Sequence, residues 1–263
     1  MFGIERIQRW WTQRLLHRYR IPIKVWRRVL QASPLLSQLD KREQHRLREL
    51  ASLFLHRKVI VAADGFELDE TMRVVIAAQA SLLILNLGLD WYDGWSEVIV
   101  YPGAFIAAHH ERDEAGVVHQ GDRGLSGEAW GRGPVILSWE DIDPLKHSKR
   151  RRGSNVVLHE FAHKLDFLDG SANGIPQLHQ GNSPQQWAER FSRAYADLNH
   201  RNPHQADGID RYATSSPAEF FAVMTEDFFE APERLQKNYP AVYEELCCFY
   251  MQEPLKRLTR RDL

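Results

Sequence analysis

Two histidines four residues apart, with a glutamate beside the first, are the residues of this chain best spaced for chemistry. They are His159, Glu160 and His163 in NVVLHEFAHKLDFLDG, residues 155–170. On a helix the two imidazoles share one face with Cβ atoms about 5–6 Å apart. That is close enough to hold one zinc ion at about 2.0–2.1 Å from each nitrogen. Glu160 then sits about 100° round the helix from His159. From there it reaches a metal-activated water without ligating the metal, which is where a general base belongs. The pattern H-E-x-x-H is short. With 12 His and 19 Glu in the chain, it arises by chance in roughly one such sequence in twenty-five, so its context must carry the argument. Ser154 or Asn155 can cap a helix here, apolar residues follow, and Gly170 can end it.

A catalytic zinc takes three protein ligands and keeps a position open for water. Asp166 lies on the same face as the histidines but two turns beyond His159, too far along the axis to share the metal easily. We read it as a residue that orients a ligand imidazole; the plainer alternative is a surface aspartate at a helix end. Glu219, in YATSSPAEFFAVMTEDFFEAP, is the better third ligand. That stretch reads as a helix with Ser216 as N-cap, Pro217 first and Glu219 third. The same residues make a capping box, in which Glu219 binds the Ser216 amide instead. Spacing leaves the two open, with Glu226, His179, His200 and His204 as rivals.

The elements that must position these residues are legible in outline. Residues 33–58 have helical periodicity, with Ser37 and Asp40 as candidate caps. VIVAA follows as a short strand, and DETMRVVIAAQASLLILNLG as a strong helix ending near Gly88. SEVIVYP, AGVVHQ and GPVILSW read as strands separated by glycines and charges. From Gly153 onward the chain is helical again. Helices, a small sheet, then helices define an α+β protein. GPVILSW, as a sheet edge above the motif helix, would align an extended peptide by strand addition.

Composition narrows the class. Of 263 residues 43% are hydrophobic and 26% charged, which fits a soluble globular chain with a sizeable core. A formal net charge of −1 gives no global field for nucleic acid, so no direct nucleic-acid partner is expected. The two cysteines, Cys247 and Cys248, are adjacent and cannot staple distant segments, which suits a reducing, cytoplasmic setting. VVIAAQASLLILNLGL is too short and interrupted to span a bilayer comfortably and reads as a buried helix. The first 30 residues stand apart. They hold eight Arg/Lys and one Glu, with Ile4, Ile7, Trp10, Trp11 and Leu15 at helical spacing. They lack the uninterrupted apolar core of a signal peptide. We expect a terminal helix whose tryptophan face packs on the body; the alternative is contact with an anionic membrane or a partner.

NVVLHEFAHKLDFLDG, YATSSPAEFFAVMTEDFFEAPERL and FYMQEPLKRL together resemble the Mlc titration factor A family of zinc-dependent peptidases. GFELDETMRVVIAAQASLLIL, LDWYDGWSEVIVYPGAFI and GPVILSWEDI fit the same family. The resemblance covers about residues 30–260. It implies a zincin-like core, related to the gluzincins, over residues 31–263, with 1–30 as a basic N-terminal segment. It implies one Zn²⁺ per chain, His159, His163 and Glu219 as ligands, and Glu160 as base. It also implies Tyr212 as a donor to the oxyanion and His119 as a conditional fourth metal contact that would take the water's place. From the residues alone, Tyr212 is equally a core tyrosine and His119 equally structural. The gluzincin pattern E-x-x-x-D is not kept, since Val223 stands four after Glu219. The implied activity is peptide hydrolysis of aminopeptidase type. The implied partner is the glucose repressor Mlc, with an effect on glucose phosphotransferase expression. The alternative is a non-catalytic regulator-binding protein with a structural zinc.

Overall fold

The computed structural model describes the backbone of residues 2–103, 105–106, 109–112, 118–121, 124–125, 127–129, 133–143, 153–202 and 208–259; side chains are described for residues 10–103, 133–143, 153–202 and 208–258. Helices α1 (Phe2–Tyr19), α2 (Ile23–Ala32), α3 (Pro34–Ser37) and α4 (Lys41–Arg57) come first, followed by β1 (Val59–Ala62) and α5 (Glu70–Leu83). Asp40 starts α4 through a full capping box with Glu43, whereas Ser37 ends α3, which Ser33 caps. α5 stops at Leu83, five residues before Gly88. The chain makes tight turns there, and Gly88 adopts φ +100°, a conformation that favours glycine.

All ten residues from Val74 to Leu83 are buried. A helix apolar on every side belongs at the centre of a core, and α5 packs against α2, α4 and the motif helix. No helix among the described residues is long and apolar enough to cross a membrane.

The strands are β2 (Glu97–Tyr101), β3 (Phe105–Ile106), β4 (His109–Arg112), β5 (Val118–Gly121), β6 (Gly124–Leu125), β7 (Gly127–Ala129) and β8 (Val135–Ser138). β1, β2 and β8 run parallel, and β7 joins antiparallel to β8, giving the order β1-β2-β8-β7. β3 pairs with β6, and β4 with β5, as separate ribbons. The expectation that GPVILSW is a sheet edge is corrected here. β8 is bonded to β2 on one side and β7 on the other, and all four of its residues are buried. Strands buried on both faces lose the alternation that marks an exposed edge. β7 takes the outer position in this sheet.

After α6 (Trp139–Ile142) come the motif helix α7 (Val156–Asp166), α8 (Pro184–His200), α9 (Pro217–Glu230), α10 (Pro232–Asn238), α11 (Pro240–Tyr250) and α12 (Pro254–Thr259). The described residues thus form an α+β arrangement, mostly helical with a small mixed sheet. α7 lies between α5, the β7–β8 side of the sheet, and α9. Its back face is fixed by Phe161, whose ring is 5.7 Å from Phe54, 5.3 Å from Tyr92 and 5.6 Å from Trp95. Each such aromatic pair adds about 0.5–1.5 kcal/mol beyond its buried area, so rotation of α7 about its axis is strongly resisted. α2 adds Val25, Trp26 and Val29 to the same core, so the basic segment is continuous with the body from Ile21 onward.

The expected packing of the N-terminal tryptophans is not found. Among the described side chains of α1, Leu16 is buried while Trp10 and Trp11 are 54% and 53% exposed; those of Ile4 and Ile7 lie outside the described residues. A pattern of apolar residues does not reveal which side of a helix meets a neighbour when the stripe is broad.

Candidate metal centre

The cap of α7 is Asn155, whose Oδ1 accepts from the Leu158 amide at 3.1 Å. With the helix so started, Val157, Leu158, Phe161, Ala162 and Leu165 are buried. That leaves His159 and His163 on the face toward α9. Pro217 opens α9, and Ser216 Oγ accepts from the Glu219 amide at 3.2 Å. Only this half of the possible capping box forms. The Glu219 carboxylate turns to the histidines, with Oε2 at 3.0 Å from His159 Nε2 and 3.4 Å from His163 Nε2. The two Nε2 atoms are 3.2 Å apart.

These separations test whether a metal fits. A tetrahedral ion with bonds of about 2.0–2.1 Å has its ligand atoms about 3.3–3.4 Å apart. The observed 3.0, 3.2 and 3.4 Å lie at that value or a few tenths of an ångström below it. Two imidazole nitrogens and one carboxylate oxygen suit zinc in softness and charge. Among the described residues this is the group of His, Cys, Asp and Glu that can hold an ion.

Glu226 has a different place from the one its spacing suggested. Seven residues separate it from Glu219, so it lies on the same face about 10.5 Å along α9. Both glutamates reach His159, from opposite sides of the ring: Glu219 at Nε2, and Glu226 Oε1 at 2.8 Å from Nδ1. The other Glu226 oxygen accepts from the Asn155 amide, so one carboxylate grips both the start of α7 and the imidazole. Glu230 repeats the grip, accepting from the Gly153 amide at 3.0 Å and the Asn155 side chain at 2.9 Å. Carboxylates at a helix N-terminus are favoured by its dipole. With Nδ1 donating to Glu226, the second imidazole proton lies on Nε2 toward Glu219, and Nε2 is the atom whose lone pair is freed for an ion when that proton leaves. Glu226 was visible in the sequence only as a rival ligand; its seven-residue spacing from Glu219 was the available signal.

The electrostatics follow from burial. Desolvation works against charge on His159, but Glu219 and Glu226 more than offset it and hold its pKa well above the ordinary value. Burial lowers that of His163. Burial would raise Glu219, yet its bonds to His159 and His163 hold it well below the usual carboxylate range. Burial raises Glu226 despite its contact with His159. The cluster therefore keeps a proton at His159 that a divalent cation would displace.

Glu160 is buried at 4% exposure and close enough to act on the charges of His159 and Lys164. Tyr212, in the 3-10 turn Arg211–Thr214, is 39% exposed, and its ring is 5.9 Å from that of His159. It is not a core tyrosine. His179 bonds the Phe249 carbonyl at 2.9 Å, and His200 the Ala196 carbonyl at 2.6 Å, so both are engaged elsewhere. His204 lies outside the described residues. His119 is in β5 opposite Glu111, and its side chain lies outside the described residues.

Asp166 does not meet an imidazole in the way expected; the partner the structure gives His159 is Glu226. Asp166 is buried, and its Oδ2 accepts from the Gly174 amide at 2.8 Å. Gly174 lies against the backbone of Pro217, where an added Cβ would fall 2.5 Å from the carbonyl oxygen, and its φ is +78°. Its own carbonyl accepts from Trp187 Nε1 at 2.9 Å. Asp166 thus fixes the loop that abuts the first turn of α9, and through it the turn that carries Glu219. Burial pushes its pKa up to about 7 from 3.8. The stability this carboxyl contributes is present in full below pH 4 and is lost as the pH rises through about 7. Asp166→Asn keeps an oxygen for Gly174 and does not ionise. Urea unfolding at pH 5 and pH 8 should show a smaller fall in stability for the variant than for the native chain.

Comparison with known proteins places this geometry. A family model described as glucose-regulated metallo-peptidase M90 matches residues 7–251, and the chain belongs to that family. Among its relatives are proteins named Mlc titration factor A from Yersinia pestis (strain Pestoides F) and from Yersinia pseudotuberculosis (serotype O:1b, strain IP 31758). Each is 40% identical over 239 residues, covering 86% of this chain and 84% of the relative.

Proposed function

We propose that this protein is a cytoplasmic, zinc-dependent peptidase with a zincin-like core that removes N-terminal residues from small peptides. The convergence of His159, His163 and Glu219 donor atoms at tetrahedral spacing carries the reading. His159, His163 and Glu219 would hold the ion, and Glu226 would fix the His159 ring. When bound, zinc supplies Lewis acidity, which polarises the scissile carbonyl and makes water a stronger acid. Glu160 accepts the proton of the attacking water and passes it to the leaving nitrogen. Tyr212, part-exposed beside His159, donates its hydroxyl to the oxygen on which charge develops. The alternative role for His119 is to close the centre by taking the water's place.

The test combines chelation with substrate choice. Removing the metal should abolish hydrolysis, and one equivalent of Zn²⁺ should restore it. A peptide with a free amino terminus should be cleaved, and its N-acetylated form should not. Stoichiometric zinc with no cleavage of either substrate would sink the catalytic reading. Tyr212→Phe should lower kcat by about tenfold with KM little changed. That is less than the 10²–10³ lost with a well-shielded donor, because Tyr212 is 39% exposed. An unchanged kcat would remove it from the site.

Binding of the repressor Mlc is a second reading, supported by the name of the 40%-identical relatives. It does not exclude hydrolysis. Capture of Mlc by the native chain and by His159→Ala/His163→Ala separates the two, since binding that survives loss of the metal is not catalysis.

A further inference from the structure

The peptidase reading gives no role to the end of the molecule built from α1 and the α1–α2 turn. The charge of the chain is divided unequally about that end. Residues 1–30 hold eight Arg/Lys and one Glu, while the other 233 hold 26 Arg/Lys and 34 Asp/Glu, so a segment of +7 sits on a body of −8. α1 lays Leu16 on the body and turns Trp10 and Trp11 outward. Trp10, Arg14 and Arg18 follow at four-residue spacing and form one stripe along the helix. The Arg14 guanidinium lies 5.4 Å from the Trp10 ring centre, and that of Arg18 lies 5.4 Å from the Tyr19 ring centre. Tyr19 and Ile23 are also exposed.

The stripe leads into a cavity of about 390 Å³ between the α1–α2 turn, the end of α4, β1 and the start of α5. Arg18, Arg20, Lys58 and Arg73 line it, against one carboxylate, Glu70. Arg20 is paired with Glu49 at 2.5 Å. Lys58 donates to the Tyr92 and Trp95 carbonyls, and Arg73 to the Ile60 carbonyl. Carbonyl oxygens orient a cation without neutralising it, so the cavity keeps an excess of positive charge. Burial lowers the Lys58 pKa to about 8, as expected for an ammonium held away from water.

We propose that this face docks on an anionic phospholipid bilayer, with Trp10 and Trp11 in the interfacial layer and a lipid phosphate at the cavity between Arg18 and Arg73, behind which the buried Lys58 ammonium adds positive charge without touching it. Indole rings favour the headgroup level of a membrane, and basic side chains are drawn to its negative surface. The acidic body is repelled by the same surface, which orients the molecule with α1 downward.

Full-length protein sedimented with vesicles gives the test. Vesicles of phosphatidylcholine with phosphatidylglycerol should bind it at least about tenfold more tightly than phosphatidylcholine alone, and raised salt should weaken the difference. Trp10→Ala/Trp11→Ala and Arg18→Gln/Arg73→Gln should each lower binding to anionic vesicles about tenfold or more. Unchanged thermal midpoints would show that both variants fold. Equal binding to the two vesicle types, or none to either, would overturn the proposal. So would folded variants that bind as the native chain does. Binding to poly-glutamate as tight as to anionic vesicles, with no effect of the tryptophan changes, would overturn it in favour of an acidic protein partner.

Discussion

Glu160→Gln is expected to bind metal as the native chain does and to lose hydrolysis by a factor of about 10²–10⁴. The size of the effect rests on what glutamine cannot do. It fills the same buried space as Glu160, 4% exposed, but its amide has no basic oxygen to take a proton from water or to return one to the leaving nitrogen. Metal binding should survive because the converging donor atoms come from His159, His163 and Glu219. The neutral amide does remove one favourable charge from Lys164, whose pKa burial already lowers to about 8 and Glu160 helps to sustain. Circular dichroism therefore has to accompany the assay. Zinc content by atomic emission and initial rates on a peptide with a free amino terminus give the two readouts. A folded variant with full zinc and native rates would end the case for Glu160 as base.

The two glutamates of α9 should fail in different ways. Glu219→Ala is expected to purify without stoichiometric metal, because a ligand is lost and two imidazoles remain. Glu226→Ala is expected to keep all three donors and bind zinc about 10–100-fold more weakly, the usual cost of removing the partner that orients a ligand histidine. The geometry behind this contrast is the His159 ring, with Glu219 3.0 Å from Nε2 and Glu226 2.8 Å from Nδ1. Glu226 also accepts from the Asn155 amide, so its loss loosens the start of α7 as well. Glu226→Gln separates these effects: the oxygen can still serve one donor, but the carboxylate charge is gone. Chelator competition measures affinity directly, without reference to turnover. Equal affinities for the Glu219 and Glu226 alanine variants would show that the structure assigns their roles wrongly.

What the sequence determined by itself is local. The caps Asn155 and Ser216, the first-position Pro217 and the four-residue spacing of the histidines act within one or two turns, and the structure bears them out. The buried character of α5 was also legible, because apolar residues on every side of a helix leave no face for water. The order of helices, strands and helices followed from the same periodicities.

What the sequence left open depended on contacts between distant segments. Glu219 is 60 residues from His159, and its carboxylate had an equally good local partner in the Ser216 amide. Only the packing of α9 on α7 decides between them, by bringing two imidazoles within reach. The same packing makes Glu226 the partner of His159 and leaves Asp166 to hold Gly174. β8 read as an edge because strand order is set by pairing between strands, which no single stretch encodes. Trp10 and Trp11 read as buried for a like reason: residue type sets a preference for burial, but the neighbouring element decides which side of a helix is covered. The chemistry of this protein is thus written in residue types and short spacings, while the choice among equivalent residues is made where separate helices meet.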